Sequence, residues 1–137
     1  MQWRQGVRDV RYLIDILRIL ENKMPVRNAE WEVSVQDVSA MLDSRQPLML
    51  IDVREPNEYQ LCNIEAAQLF PLGELLNRAA EIRTLAAGRP VVAYCHLGWR
   101  SLAAASLLRE SGIPDVKSMA GGIDEWSCAI DPAVPRY

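Results

Sequence analysis

One histidine, two lysines and three cysteines in 137 residues remove several kinds of chemistry at the outset. A metal site built on several histidines is excluded, and so is a zinc site of four cysteines. Cys62, Cys95, Cys128 and His96 would form a three-plus-one set, but no two of the cysteines have CxxC spacing, so nothing in the pattern supports it. Three widely spaced cysteines do not build a disulfide framework and fit a reducing compartment, the cytoplasm. A basic surplus is missing as well. The 15 Lys+Arg face 18 Asp+Glu, for a net charge of −3, which gives no reason to expect nucleic acid as a partner. Long apolar runs are absent too. The most apolar early stretch, residues 12–20, is broken by Asp15 and Arg18, and is too short and too charged for a signal core or a membrane span.

What is present has the balance of an ordinary globular protein, 50% hydrophobic and 24% charged. The length corresponds to one domain with a core that needs no disulfide or metal staple. Charge is unevenly placed. Residues 1–30 hold six basic and four acidic groups, while the remainder is net acidic, which separates an N-terminal extension (1–30) from a main body (31–137). Within the extension, Val10, Leu13, Ile14, Leu17 and Leu20 follow helical spacing and predict an amphipathic helix over Arg8–Asn22, ended by Pro25 and Asn28. That helix either packs on its own domain or docks another chain, and the oligomeric state stays open with it.

From Trp31 the pattern alternates between strand and helix. Glu32–Val33 is a short strand, and Ser34 caps a helix with Asp37 as its capping-box partner. Val38, Met41 and Leu42 form the stripe of that helix. The run from Leu48 to Val53 is continuously apolar up to its acid, as in a strand buried on both faces. Pro56 opens a short helix, residues 66–70 form a weak strand, and Leu75, Leu76, Ala79, Ile82 and Leu85 mark a longer helix. Val91–Tyr94 is a second buried strand. A helix follows from about Ser101, with Leu102, Ala105 and Leu108 inward and Leu107 as a further candidate. Val116–Met119 is the next strand, Gly121-Gly122 turns into a last helix with Ile123 and Trp126, and the tail from Asp131 is irregular. This order implies an α/β domain around a mostly parallel sheet.

The chemistry concentrates at Cys95-His96-Leu97-Gly98-Trp99-Arg100-Ser101. Cys95 stands where a buried strand ends and a helix begins, and in open α/β sheets ligands bind beyond the carboxyl ends of the strands. A loop entering a helix there turns several N–H groups inward. With the helix dipole they form an anion-binding nest that stabilises a thiolate. Arg100 adds a positive charge at the rim, and Gly98 lets the backbone curl without a Cβ. The alternative reading of Cys95 is a small buried residue that ends a strand, against which Gly98 and Arg100 speak. His96 neighbours Cys95 in sequence, and sequence neighbours seldom face each other. It is read as a loop residue whose N–H matters more than its ring.

Three motifs in order carry a family resemblance: Leu50-Ile51-Asp52-Val53-Arg54 with Glu58-Tyr59, the Cys95–Ser101 loop, and Gly121-Gly122-Ile123-Asp124-Glu125-Trp126. The chain from Trp31 to Tyr137 resembles a rhodanese-type sulfurtransferase domain. The ending from Ile130 to Tyr137 is similar to the rhodanese domains fused to ubiquitin-activating-like adenylyltransferases in molybdopterin and thiocarboxylate sulfur transfer. No adenylyltransferase part is present, so a free-standing relative or a fragment of a longer protein would both fit. The resemblance implies a central sheet with helices on both faces.

It also implies covalent catalysis without cofactor or metal. Cys95 takes sulfane sulfur from thiosulfate or a protein persulfide, becomes a persulfide, and yields the sulfur to an acceptor, which could be a protein. The amides of Leu97 to Ser101 would hold the persulfide charge, Arg100 would orient an anionic donor, and exposed Trp99 would touch the acceptor. Asp52 and Arg54 either pair with each other at the strand end or brace the loop. Glu58 is read as structural. Many members carry Gly-His-Ile where this chain has Cys62-Asn63-Ile64. The departure concerns packing behind the site, and it introduces Cys62, for which a redox partnership with Cys95 is one reading. Cys128 is read as a packed helix residue. Two other activities compete with transfer. One is a non-catalytic binding module of the same fold. The other is a phosphatase or arsenate reductase, disfavoured because four residues between Cys95 and Arg100 make a nest sized for one sulfur atom.

Overall fold

A computed structural model of the chain describes residues 28–137. The expected helix over Arg8–Asn22 lies outside the described residues. The elements alternate as the sequence pattern requires: β1 (Glu32–Val33), α1 (Val35–Asp43), β2 (Met49–Asp52), α2 (Pro56–Leu61), β3 (Gln68–Leu69), a 3₁₀ turn (Leu72–Glu74), α3 (Leu75–Ala86), β4 (Val91–Tyr94), α4 (Trp99–Glu110), β5 (Val116–Met119) and α5 (Gly122–Ala129). The five strands form one sheet in the order β1-β5-β4-β2-β3, with every pairing parallel. β4 lies in the middle, and the strand that ends at the Cys95 loop is therefore flanked by β2 and β5 on its two sides.

Period-two alternation divides the side chains between two cores. Met49, Ile51, Val53, Val91, Ala93, Cys95 and Val116 face Leu75, Ala79 and Ile82 of α3 and Ala104, Ala105 and Leu108 of α4. Leu50, Val92, Tyr94 and Met119 face Val35 and Val38 of α1 and Ile123 and Trp126 of α5. Helices thus cover both faces, which is why β2 and β4 are buried at every position. A sheet without a wet face has no use for polar alternation.

Several local expectations change in the folded chain. Ser34 does cap α1, its hydroxyl accepting from the Asp37 N–H at 3.0 Å, but Val35 and Val38 are the buried pair, with Met41 and Leu42 only half-covered. In α3, Leu76 and Leu85 are 66% and 41% exposed, so its stripe is narrower than five apolar residues imply. In α4, Leu102, Ala105 and Leu108 face inward and Leu107 is half-buried. Cys128 is exposed rather than packed. On a helix it stands two residues, about 200°, from Trp126, which together with Ile123 and Ser127 marks the buried face of α5.

Candidate active site

β4 delivers Cys95 to the carboxyl edge of the sheet, where the thiol is buried. Helix α4 begins at Trp99, two residues before the expected start, with Gly98 as its N-cap at φ 109. The cause lies in the sulfur. The Gly98 N–H donates to Cys95 Sγ at 3.1 Å and the Ser101 N–H, in the first turn, donates to it at 3.4 Å. Cys95 Sγ therefore takes the capping role that a Ser or Asp oxygen usually fills. Of the loop amides expected to serve a charged sulfur, these two reach it. The Ser101 hydroxyl stands 3.4 Å from Sγ and shares a 2.7 Å hydrogen bond with the Ser118 hydroxyl on β5. Ser118 drew no attention in the sequence, where nothing connects it to a loop 17 residues earlier.

The last helix fixes the loop from the other side. The N–H groups of Ile123 and Asp124 donate to the carbonyls of Cys95 and His96 at 2.9 and 3.1 Å. Such an approach needs Gly122. Its φ is +62, and a Cβ there would stand 2.3 Å from the His96 carbonyl oxygen and 2.6 Å from that of Cys95. The Gly-Gly motif is thus the contact by which α5 clamps the backbone of Cys95 and His96.

Behind the loop, Asp52 and Arg54 are both fully buried and paired, with Arg54 Nη2 2.5 Å from Asp52 Oδ2 and Nε 2.9 Å from Oδ1. Asp52 Oδ1 also accepts from the Arg54 N–H at 3.0 Å. Arg54 reaches further, donating to the Cys62 carbonyl at 2.7 Å, the Glu58 carbonyl at 3.3 Å and the Tyr137 hydroxyl at 3.0 Å. Burial opposes the charge, yet hydrogen bonds to Asp52 and Tyr137 more than offset it, and the guanidinium pKa is raised. The two pair with each other, and Arg54 reaches Glu58, Cys62 and Tyr137 rather than the Cys95–Ser101 loop itself. The Cys62-Asn63-Ile64 departure is absorbed by the backbone. Arg54 holds the Cys62 carbonyl, and the Ile64 N–H donates to the Tyr94 hydroxyl at 3.1 Å. Cys62 and Cys95 are both free thiols, and they belong to cores on opposite faces of the sheet, which argues against a bridge between them.

Arg100 does not stand as an unpaired charge at the rim. Its Nη1 and Nη2 donate to Glu58 Oε1 and Oε2 at 2.8 and 2.9 Å, a two-pronged pair across 42 residues of sequence. Glu58, expected to be structural, is thereby part of the site. Tyr137 completes the group: its hydroxyl donates to Glu58 Oε2 at 2.8 Å, and its ring stacks on His96 at 4.0 Å. The His96 ring stacks on Tyr137, and the backbone donors to the thiol are Gly98 and Ser101. Leu97 and Trp99 are 46% and 40% exposed on the same loop. A depression of about 620 Å³ lined by Leu42, Ile64, Trp126 and Val134 includes no residue of the Cys95 loop. Among the described residues, no three His, Cys, Asp or Glu side chains gather where they could hold a metal ion.

Hydrogen bonds from Arg100, and then from Tyr137, hold the Glu58 carboxyl below the usual glutamate range against the opposing effect of burial. A depressed native pKa means that the ionised pair favours the folded state above the unfolded glutamate value. That contribution is lost as pH falls from about 4.3 through the lower native value. Urea midpoints should therefore drop more between pH 5 and pH 3 for the natural chain than for Glu58→Gln. Equal drops would show that the pair contributes nothing to acid stability.

Comparison with known proteins places the fold in a family. A family model described as "Rhodanese-like domain" matches residues 34–129. The chain is 31% identical over 128 residues to the Arabidopsis thaliana rhodanese-like/PpiC domain-containing protein 12, covering 90% of this chain and 42% of that protein. It is 33% identical over 105 residues to the probable adenylyltransferase/sulfurtransferase MoeZ of Mycobacterium tuberculosis, covering 77% of this chain and 26% of MoeZ. It thus spans less than half the length of either relative. Among solved structures, human single-domain sulfurtransferase TSTD1 superposes with a TM-score of 0.62 at 27% identity, covering 76% of this chain and 98% of that one. The thiosulfate sulfurtransferase of Pseudomonas aeruginosa superposes with a TM-score of 0.67 at 28% identity, covering 83% and 21%. The five-stranded parallel sheet, the cysteine loop at the end of its middle strand and the family match over 34–129 place this chain in the rhodanese-like domain family.

Proposed function

We propose that this chain is a sulfurtransferase that carries sulfane sulfur as a persulfide on Cys95. The observation that carries the reading is the thiol itself, which receives the Gly98 and Ser101 N–H groups at 3.1 and 3.4 Å at the head of α4. Both donors favour a charged sulfur, and the helix dipole points the same way. With thiosulfate, the Cys95 thiolate attacks the outer sulfur. A Cys95–sulfur bond forms, the donor S–S bond breaks, and sulfite leaves with the electron pair. A thiophilic acceptor then attacks the terminal sulfur and restores the thiolate. The loop amides from Leu97 to Ser101 hold the charge on the persulfide's outer sulfur, as an oxyanion hole holds a developing charge. Exposed Leu97 and Trp99 give an acceptor protein an apolar foothold beside the loop. Names of relatives support the activity: TSTD1 is called a sulfurtransferase, and the Pseudomonas protein a thiosulfate sulfurtransferase. Three free thiols suit a reducing compartment such as the cytoplasm. No helix among the described residues is long and apolar enough to cross a membrane.

The test is intact mass after incubation with thiosulfate. A gain of one sulfur atom on Cys95, removed by cyanide with release of thiocyanate and absent in Cys95→Ser, is the expected result. No gain of sulfur on the natural chain from either thiosulfate or cysteine persulfide would overturn the reading. Hydrolysis of an aryl phosphate that requires Cys95 would replace it with phosphatase chemistry.

A further inference from the structure

Resting on the sulfurtransferase reading, we propose that Glu58 sets donor choice, turning the site away from the dianion thiosulfate and toward persulfides of organic thiols. Both arginines tied into the site have their own carboxylate: Arg54 has Asp52 and Arg100 has Glu58. Only Arg100 sits in the Cys95 loop, and each of its terminal nitrogens donates to a Glu58 oxygen, so its charge is matched by a carboxylate.

Glu58 is not free to swing aside. Oε1 holds Arg100 Nη1, and Oε2 holds both Arg100 Nη2 and the Tyr137 hydroxyl. Tyr137 is itself fixed by Arg54 and by stacking on His96. Displacing the carboxylate to seat an anion on Arg100 breaks three hydrogen bonds at once. The thiolate of Cys95, Arg100 and Glu58 together leave one negative charge at the reacting centre. A doubly negative donor is repelled there, and it finds no unmatched cation on Arg100 to offset the repulsion.

A persulfide carries at most one negative charge on its sulfurs. The step then balances without help from Arg100. The Cys95 thiolate attacks the outer sulfur of R–S–SH, the Cys95–S bond forms, and the donor S–S bond breaks. RS⁻ leaves with the electron pair, and the proton stays on the transferred sulfur.

The experiment measures the rate of Cys95 loading, by quenched-flow intact mass, with thiosulfate and with cysteine persulfide. In Glu58→Gln the ratio of the thiosulfate to the cysteine persulfide rate constant should rise by at least about fivefold, the scale of removing one screened charge beside the reaction. Tyr137→Phe, which takes one bond from Glu58 and keeps the stacking ring, should move the donor ratio in the same direction by less. The natural chain supplies a readout that needs no variant. Its thiosulfate rate should increase as salt screens the repulsion, since the Debye length shrinks to about 10 Å at 0.1 M. A thiosulfate rate that falls with salt in the natural chain would overturn the proposal, because that is how an accessible Arg100 attracts a dianion. So would equal losses with both donors in Glu58→Gln, which would make Glu58 a positioning residue for Arg100. In both cases Cys95 still loads and the sulfurtransferase reading stands. Loading from neither donor removes the reading and this proposal together.

Discussion

Gly122→Ala should unfold the site more thoroughly than any other single methyl group added to the described structure at a glycine. Two penalties coincide at this position. The residue has φ +62, a conformation that costs a non-glycine residue about 1–2 kcal/mol. The new Cβ would also lie 2.3 Å from the His96 carbonyl oxygen, a backbone atom that no side-chain rotation can relieve. Either α5 withdraws, breaking the Ile123 and Asp124 hydrogen bonds to Cys95 and His96, or the Cys95 loop does. We expect a loss of at least about 3 kcal/mol in urea unfolding, in the range of strained or overpacked core substitutions. Sulfur loading should fall even in the fraction that stays folded, because the carbonyl of the nucleophile is what the clamp holds. Gly73→Ala is the control, since nothing lies within 4 Å of a Cβ there, and it should change stability by less than about 0.5 kcal/mol. Equal effects from the two substitutions would show that the close approach at Gly122 carries no energetic weight.

The second large effect is expected at Arg54. Both members of the Asp52–Arg54 pair have no exposed side-chain surface. Removing one partner of a buried pair leaves the other charge without compensation, at a cost of about 3–5 kcal/mol. Arg54→Met keeps much of the volume and should cost that amount, lowering Tm by roughly 10–20 °C for a chain of this size. The effect should exceed a simple pair loss in one respect. Arg54 also ties the Cys62 carbonyl, the Glu58 carbonyl and the Tyr137 hydroxyl to the end of β2, so the variant releases the back wall of the site. Arg54→Lys keeps the charge without the fork and should fall between the two. Adding Asp52→Asn to Arg54→Met should recover part of the loss. A double variant as unstable as the sum of the singles would indicate that the charges are not coupled.

The fold was legible where one physical signal dominated. β4 and β5 match the expected spans residue for residue. An apolar run between Gly88-Arg89-Pro90 and Cys95, and a short run after Gly112-Ile113-Pro114, each have breakers or polar ends that leave little choice. Helix α4 was misplaced by two residues because its capping acceptor is a sulfur, outside the Ser, Thr, Asp and Asn set that marks helix starts. Leu76 and Leu85 fit helical spacing yet face solvent, because period alone does not say how wide the buried stripe is.

In the site, Cys95, Gly98, Arg100 and Ser101 could be read as a group because they are close in sequence. Their partners could not. Glu58 and Arg100 are 42 residues apart and Glu58 and Tyr137 are 79 apart. A carboxylate at the start of a helix looks the same in sequence whether it faces solvent or an arginine on another element.

The order β1-β5-β4-β2-β3 has a consequence for synthesis. The middle strand and its cysteine are made before the two elements that complete the site, β5 with Ser118 and the start of α5 with Gly122. At roughly 5–20 residues per second, the ribosome needs about 1.4–6 s to add the residues between Cys95 and Asp124. During that interval the thiol has neither the hydroxyl relay through Ser118 nor the clamp on its carbonyl. The thiol therefore reaches its buried, capped state only after residues up to Asp124 have joined the fold.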